Sequence, residues 1–403
     1  MRPGYTRKLF RISVVTPCFG GGPVPQKPDP LTPVRGTSVR GHLRFWWRAT
    51  RGAEFRDVAT LRKRESEIWG STGSRSPVVT RVVCVPQSTF VGGGSQKDVP
   101  RQYQPQYRYV AWPFESVVRE SAPGPFSFEL QLEYPRDLDQ DVLCAVWAWV
   151  NFGGVGARTR RGCGTLWCAE LCPSAEVGNL HVWYETKLQE YGLRSIQDRK
   201  RRDWPTLPPP SGIVVRRDQQ SPAEAWLEAV RVLQWFRQPR TRPKSGNQLA
   251  STKWPEVRTI RLLRHSGGRV GADSGLGFPR AQFGLPIVFR LREGGNLGTL
   301  VSAKSSRRAS PVIVKAWALT VPNQPQPRAR ALVLRLEVPG LDGVRLEKVV
   351  GVPGGRVFGR DFVQPSGFRY PAAEGGGAPA TDALEAFLSF VKSMWAPTGG
   401  VRR

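Results

Sequence analysis

A mixed α+β protein built from two similar units is what this sequence predicts, on three observations. Short alternating segments such as FSFELQLEYP (126–135) read as strands, because successive side chains point to opposite faces. Between them stand stretches of helical length, amphipathic or wholly apolar, such as DVLCAVWAWVNF (141–152) and TDALEAFLSFVKSMW (381–395). Third, the order strand, helix, strands, helix, strand reads through both halves, with the basic and then Pro-rich run YGLRSIQDRKRRDWPTLPPPSG between them. A chain of 403 residues can form two domains that each bury a core, and the expected division gives residues 1–215 and 216–403.

The elements follow in order. LFRISVVTPCF alternates as a strand and runs into GGGPVPQKPDPLTP, a Gly/Pro-rich loop too irregular for helix or sheet. SVRGHLRFWWRATRG (38–52) is a helix, with Ser38 as N-cap and Gly52 as its stop. A second basic amphipathic piece, FRDVATLRKRESEIWGS (55–71), ends at Gly70, and PVVTRVVCVPQ (77–87) is a strand. The stretch around 92–106 has few core-forming residues before Tyr107 and reads as a long loop. After the strand at 126–135, the helix at 141–152 is apolar nearly all round and therefore buried. A Gly/Arg loop then leads into a strand.

The second half opens with the capped helix SPAEAWLEAVRVLQWFRQ (221–238) and a basic loop, PRTRPKSGNQ. Strands are expected at GLPIVFRL (284–291), SPVIVKAWAL (310–319) and ALVLRLEV (331–338), with the basic tip KSSRRAS before the second of them. A closing amphipathic helix follows. The simplest realisation of this order is a split βαβ, ferredoxin-like fold in each half.

The net charge is +28, extreme for a globular chain, and the basic residues lie along its whole length rather than in a tail. Such a balance predicts a polyanionic partner, nucleic acid before an anionic membrane surface. With 14 tryptophans and 18 phenylalanines there is material for a real core, which argues against disorder. No run reaches the ~18 apolar residues of a membrane span. The basic start MRPGYTRKLFRISVVTPCFGGG has too short an apolar run for a signal peptide, so a cytoplasmic protein is expected. The six cysteines are then expected to be reduced and buried. Cys163, Cys168 and Cys172 are close, but their spacing matches no common zinc pattern; no metal or other cofactor is expected.

Two constellations carry chemistry. On a helix, Arg40, Arg44, Arg48 and Arg51 fall within an arc of roughly 80°, while Trp46 faces the centre of the apolar arc and Trp47 its edge. The stripe holds no acidic residue of its own, so four like charges repel along one face. That favours anion binding over the alternative of a merely solvated outer face. Trp47 is a candidate to stack on a base or brace an arginine, although tryptophan is more often core. The second constellation comprises Gly153, Gly154, Gly156, Arg158, Arg160, Arg161, Gly162 and Gly164. Glycines let backbone N–H groups approach phosphates, and arginines add charge and bidentate geometry. A structural turn with incidental arginines is the alternative. The loop is no Walker motif, since no GKS or GKT follows, and it follows a helix, unlike a dinucleotide fingerprint.

For catalysis there is little: no HExxH, no GxSxG and no carboxylate run for magnesium. His42 sits on the apolar arc as a core histidine rather than a general base, and His181 and His265 have no evident partner nearby in sequence.

SVRGHLRFWWRA together with FGGVGARTRRGCGTL resembles the RAMP superfamily of CRISPR systems, in particular the subunit-one family of the type III-B Cmr effector complex. In that family a short S-[IV]-R-G-x-L-R-[FW]-W-[WF]-R helix follows a strand ending in TP and a Gly-rich loop, here VVTPCFGGG. YVAWPF (109–114) and RRASPVIVK (307–315) also sit where such chains carry similar segments. The resemblance covers the N-terminal half well and the C-terminal half loosely. It implies two tandem ferredoxin-like (RRM-like) RAMP domains with Gly-rich loops, in a non-catalytic subunit of an antiviral ribonucleoprotein. The implied partners are a CRISPR guide RNA, its target RNA near the guide's 3′ end, and other RAMP subunits. Arg40, Arg44 and Arg48 match the helix motif; Gly153, Gly154, Gly156, Arg158, Arg160 and Arg161 match the loop. His42 stands where a small residue such as alanine is usual.

The resulting expectation is a basic cleft between two domains, lined by the stripe and the loop and binding RNA mainly through phosphates. Reversing Arg44 and Arg160 to glutamate should weaken RNA binding and leave the thermal midpoint nearly unchanged. The alternative is a metal-independent RAMP endoribonuclease that processes repeat RNA. A mainly architectural subunit is a third possibility.

Overall fold

The computed structural model describes residues 2–19, 32–84, 99–111, 125–198, 200, 202–238, 254–265, 275–290, 296–348, 356–365, 368, 370 and 382–396. The expected loop at 239–248, most of that at 20–33 and the part of that at 92–106 before residue 99 lie outside the described residues.

The first sheet grows around β3 (Phe126–Pro135), whose burial alternates without interruption. Phe128, Leu130, Leu132 and Tyr134 point inward and are fully buried, as the period-two pattern requires. Strand β1 (Tyr5–Val14) pairs antiparallel with β3 from Tyr5↔Pro135 to Val14↔Phe126. Strand β2 (Val79–Cys84) flanks β3 on its other side, and the two-residue β4 (Leu166–Trp167) flanks β1, giving the order β2-β3-β1-β4. Helices α1 (Gly36–Ala49) and α2 (Val58–Trp69) connect β1 to β2, and α4 (Asp139–Phe152) connects β3 to β4. That is the split βαβ order, with α3 (Gln104–Ala111) added between β2 and β3. The loop expected around 92–106 thus gives way to helix from Gln104, because Tyr107, Val110 and Ala111 fall on one buried face.

Helix α1 begins earlier than its sequence suggests. Arg35 is its N-cap, with no side-chain cap bond, and Ser38 lies inside the first turn. It also ends earlier: Thr50 Oγ1 donates to the Trp46 carbonyl at 2.7 Å, and Arg51–Glu54 continue as a 3₁₀ turn. Helix α4 buries Val142 through Phe152 almost completely, apart from Leu143, as its apolar sequence demands.

Beyond β4 come α5 (Leu180–Glu190), α6 (Arg194–Gln197), β5 (Ile213–Val215), α7 (Pro222–Arg237) and α8 (Glu256–His265). Six strands then follow: β6 (Ile287–Arg290), β7 (Asn296–Ser302), β8 (Val312–Leu319), β9 (Arg328–Arg335), β10 (Val344–Glu347) and β11 (Arg356–Phe358). Two helices close the chain, α9 (Arg360–Val363) and α10 (Ala383–Met394). The strands divide between a three-stranded sheet, β5-β9-β8, and a four-stranded sheet, β11-β10-β7-β6. Among the described residues, the order of the first half is therefore not repeated in the second.

Contacts group the chain into one unit of Met1–Arg231 with Ile313–Pro339, and another of Val232–Val312 with Gly340–Arg403. This grouping is discontinuous in sequence, whereas the sequence reading divides the chain once, at 215/216. The reason lies in β8, buried at every residue, which needs cover on both faces. Within the first unit, Trp317 Nε1 donates to Asn151 Oδ1 at 3.0 Å, and Leu319, Leu332 and Leu334 join the core of β1, β3 and α4. In the second unit, Ile260 and Leu263 of α8 pack with Phe289, Leu300, Val344 and Leu346 of its sheet.

Candidate nucleic-acid interface

The arginines expected to form one free stripe on α1 meet different fates. Arg40 is exposed and has no ion pair among the described residues. Arg44 Nε and Arg48 Nη1 both donate to one buried oxygen, Glu65 Oε1 of α2, at 2.8 and 2.5 Å. The two side chains keep about a third of their surface, 32% and 33%. Arg51 has left the helix; its Nη1 donates to the Tyr191 carbonyl at 3.0 Å and its Nε lies 3.7 Å from Asp141 Oδ1. The expectation that nothing acidic balances the stripe is therefore corrected. The carboxylates come from α2 and α4, neighbours in space but 17 to 90 residues away in sequence. Reversing Arg44 would set a carboxylate against Glu65, so that variant is no longer expected to leave stability unchanged.

Trp47 is fully buried, and its Nε1 donates to Asp141 Oδ1 at 2.7 Å while Arg64 Nη2 donates to Oδ2 at 3.2 Å. With both ring faces inside the core it has none to offer a base, so the stacking role is withdrawn. Trp46 is a core residue, as its place on the apolar arc implies.

In the Gly/Arg loop the glycines serve close packing. A Cβ on Gly153 would stand 2.5 Å from Trp46 Nε1, and one on Gly156 would stand 2.6 Å from the Phe19 carbonyl oxygen. Gly164, at φ +63, would drive a Cβ into the Val155 carbonyl. Several loop amides are spent internally: Val155 N on the Gly164 carbonyl, Ala157 N on Phe19 and Gly164 N on Pro17. The loop's glycines thus follow the structural alternative, and its arginines provide the charge. Arg158 sits at a left-handed φ of 60, and the carbonyl of Arg161 accepts from Trp226 Nε1 at 2.6 Å. Arg160 lies 5.6 Å over the Phe45 ring, and burial pushes its guanidinium below its ordinary pKa.

That last contact joins the two constellations. His42, Phe45 and Trp46 of α1 and Gly153, Gly154, Thr159 and Arg160 of the loop line one open cavity of about 150 Å³, together with Phe152 and Ile313. His42 is half-buried, stacks on Trp149 at 6.0 Å between centroids, and has its pKa lowered by burial, so its imidazole is neutral near pH 7. Beneath the cavity, Lys315 of β8 is fully buried and its Nζ donates to the Gly153 carbonyl at 2.9 Å. Burial pushes its pKa down to about 7. Neither His42 as a cavity residue nor Lys315 as a loop anchor was legible beforehand, because each depends on a segment over 100 residues away.

Cys18, Cys144, Cys163, Cys168 and Cys172 are free thiols and buried. Among the described residues, no three His, Cys, Asp or Glu side chains group as metal ligands. No helix among them is long and apolar enough to cross a membrane.

One basic surface was passed over in the sequence. On α8, Arg258, Arg261 and Arg264 are exposed and make no ion pair among the described residues. The recurrence of arginine every three residues in EVRTIRLLRH was the signal.

Comparison with known proteins agrees with the motifs. Residues 11–167 match the RAMP superfamily model. The CRISPR system Cmr subunit Cmr1-1 of Pyrococcus furiosus is 30% identical over 135 residues, 33% of this chain and 40% of that protein. Cmr1-2 of the same organism is 26% identical over 178 residues, 39% of this chain and 92% of that protein. The match therefore spans less than half the length of the first relative. Among solved structures, apo Cmr1 from Pyrococcus furiosus is 17% identical with a TM-score of 0.46, covering 84% of this chain and 90% of that one. A chain of the type III-B Cmr-beta complex bound to cognate target RNA is 11% identical with a TM-score of 0.46, covering 81% and 94%. Residues 11–167, which hold the arginine helix and the Gly/Arg loop, are thus similar to the RAMP superfamily and to the Cmr1 subunits of Pyrococcus furiosus.

Proposed function

We propose that this chain is a non-catalytic, RNA-binding subunit of a type III-B Cmr effector complex. Its partners would be the CRISPR guide RNA, its target RNA near the guide's 3′ end, and other RAMP subunits. The observation that carries this reading is the cavity where α1 meets the Gly/Arg loop. It sets Arg160, Thr159 and the neutral His42 into one concave patch, on a helix that also carries the exposed Arg40. The net charge of +28 and the named relatives support it. Arg44 and Arg48, each with a third of its surface open, add field at the rim; Arg158 and Arg161 continue the charge along the loop. A second ferredoxin-like copy, divided from the first near 215/216, belongs to the same reading and rests on the sequence resemblance.

Phosphate contacts make binding salt-dependent, with log K falling by about 0.7 per contact for each tenfold rise in salt on a single strand. Combining Arg40→Glu with Arg160→Gln should weaken single-stranded RNA binding and flatten the salt slope by about 1.4. Unchanged affinity and slope would refute the assignment. An endoribonuclease acting without metal is the second reading, favoured only by His42 lining the cavity. Defined cleavage of repeat RNA in EDTA, lost in His42→Ala, would replace the first reading with the second.

A further inference from the structure

The second unit contains a basic surface that the α1 motif and its family resemblance do not touch. Helix α8 buries Glu256, Thr259, Ile260 and Leu263 against its own unit. The opposite face shows Arg258, Arg261 and Arg264, with Leu262 among them at 39% exposure. Three arginines spaced three residues apart span about 9 Å along the helix axis.

Two ordinary explanations for such a face fail here. Charges placed for solubility usually alternate in sign, and like charges at three- and four-residue spacing weaken a helix. Yet the sole acidic residue of α8, Glu256, is buried and already taken by Arg280, whose Nε stands 3.0 Å from Oε2. Cations can also be placed to complement a helix's negative C-terminal end. That accounts for Arg264 in the last turn, where His265 Nδ1 also meets the Arg261 carbonyl at 2.7 Å. It leaves Arg258 unexplained, since in the first turn the dipole opposes it. The contrast with Arg280 is local: an arginine with a structural task in this unit is paired and lies over the Trp254 and Phe289 rings.

We propose that the outer face of α8, Arg258, Arg261 and Arg264, is a second RNA-binding surface that holds the sugar–phosphate backbone of a single strand. Guanidinium groups suit phosphate oxygens by their planar, bidentate donors, and the exposed Leu262 offers apolar contact to a splayed base. This rests on the chain being an RNA-binding protein, but on a helix and a unit separate from the α1 cavity.

The test uses the full chain and a 20-nucleotide single-stranded RNA of mixed sequence, titrated at several salt concentrations. The triple variant Arg258→Gln, Arg261→Gln, Arg264→Gln should flatten the slope of log K against log salt by about 2, near 0.7 per lost contact. The matching triple lysine variant should keep most of the slope, and ultraviolet crosslinking of bound RNA should label the 256–265 peptide. If the glutamine variant melts like the parent and binds RNA with the parent's affinity and slope, the inference is overturned. If it melts early, the lysine variant and the crosslink decide: an unlabelled peptide overturns the inference. Should the α8 variant keep full binding while Arg40→Glu with Arg160→Gln loses it, only this inference fails. Should both sets keep it, the RNA-binding reading fails as well.

Discussion

Helices α1 and α8 look alike as sequences: each sets arginines at helical spacing on one side and buries apolar residues on the other. Their arginines do different work. On α1, Arg44 and Arg48 converge on one buried carboxylate, Glu65, so half of its stripe is a clamp between α1 and α2. On α8, three arginines stand in solvent with no carboxylate among the described residues. The lesson concerns counting charge. A stripe's surplus is set by which acidic side chains arrive from other elements, and helical periodicity is silent about that.

The largest expected effect breaks the α1 side of this contrast. Glu65→Ala should strand Arg44 and Arg48 and cost about 2–3 kcal/mol, below the ~3–5 kcal/mol of a fully buried pair because both arginines keep some water. Chemical denaturation of this variant beside Arg44→Glu should show both well below the parent. If Glu65→Ala unfolds at the parent's midpoint, the clamp is not structural.

Lys315 sharpens the comparison from the other end, as a basic group buried on a carbonyl with no ion pair among the described residues. Its folded pKa, about 7, lies below the 10.5 of the unfolded chain. The unfolded state therefore binds more protons above pH 7, and stability should rise with pH through that window, by at most ~1.4 kcal/mol per unit. The buried thiols act the other way: Cys18 and Cys172 are pushed up to about 12, so their contribution is lost as pH rises through the thiol range of the unfolded chain, near 9. The rise should therefore be clearest between pH 7 and about 8.5. Melting temperatures of the parent and Lys315→Met across this range test it; equal pH dependence in both would exclude Lys315 as the source.

The smallest effect lies on α8. Arg261→Glu alone should change stability by no more than about 0.5 kcal/mol, since the side chain is exposed and has no ion pair among the described residues to lose. A loss above ~1 kcal/mol would reveal a structural partner and erase the distinction between the two helices.

Much of the first half was legible. The strand at 126–135 has the bounds its alternation predicts, and the buried helix around 141–152 follows from an apolar surface with no polar face. Elsewhere the structure departs from local spacing, at the helix start and at two places where a distant group arrives. Ser38 looked like a cap, yet the helix starts at Gly36, with Arg35 in the cap position. Trp47 looked like an edge residue until Asp141 of α4 took its indole. The glycines at 153–164 suggested a phosphate cradle, but they allow Trp46, Phe19 and Val155 to approach the backbone. In the second half, β8 and β9 join the core of the first unit, a placement that spacing along the chain does not encode.

Composition and spacing alone determined that the chain is strongly basic, that α1 has an apolar and an arginine face, and that a Gly/Arg loop leads into a strand. These properties are local, set by charge count, by the 3.6-residue helical period and by glycine's freedom at positive φ. Tertiary structure alone decided which arginines are neutralised, because Glu65 and Asp141 act across a packed interface and not along the chain. It also decided that α1 and the loop share a cavity. Their meeting depends on β1, β3 and α4 folding around a common core, which no local spacing encodes.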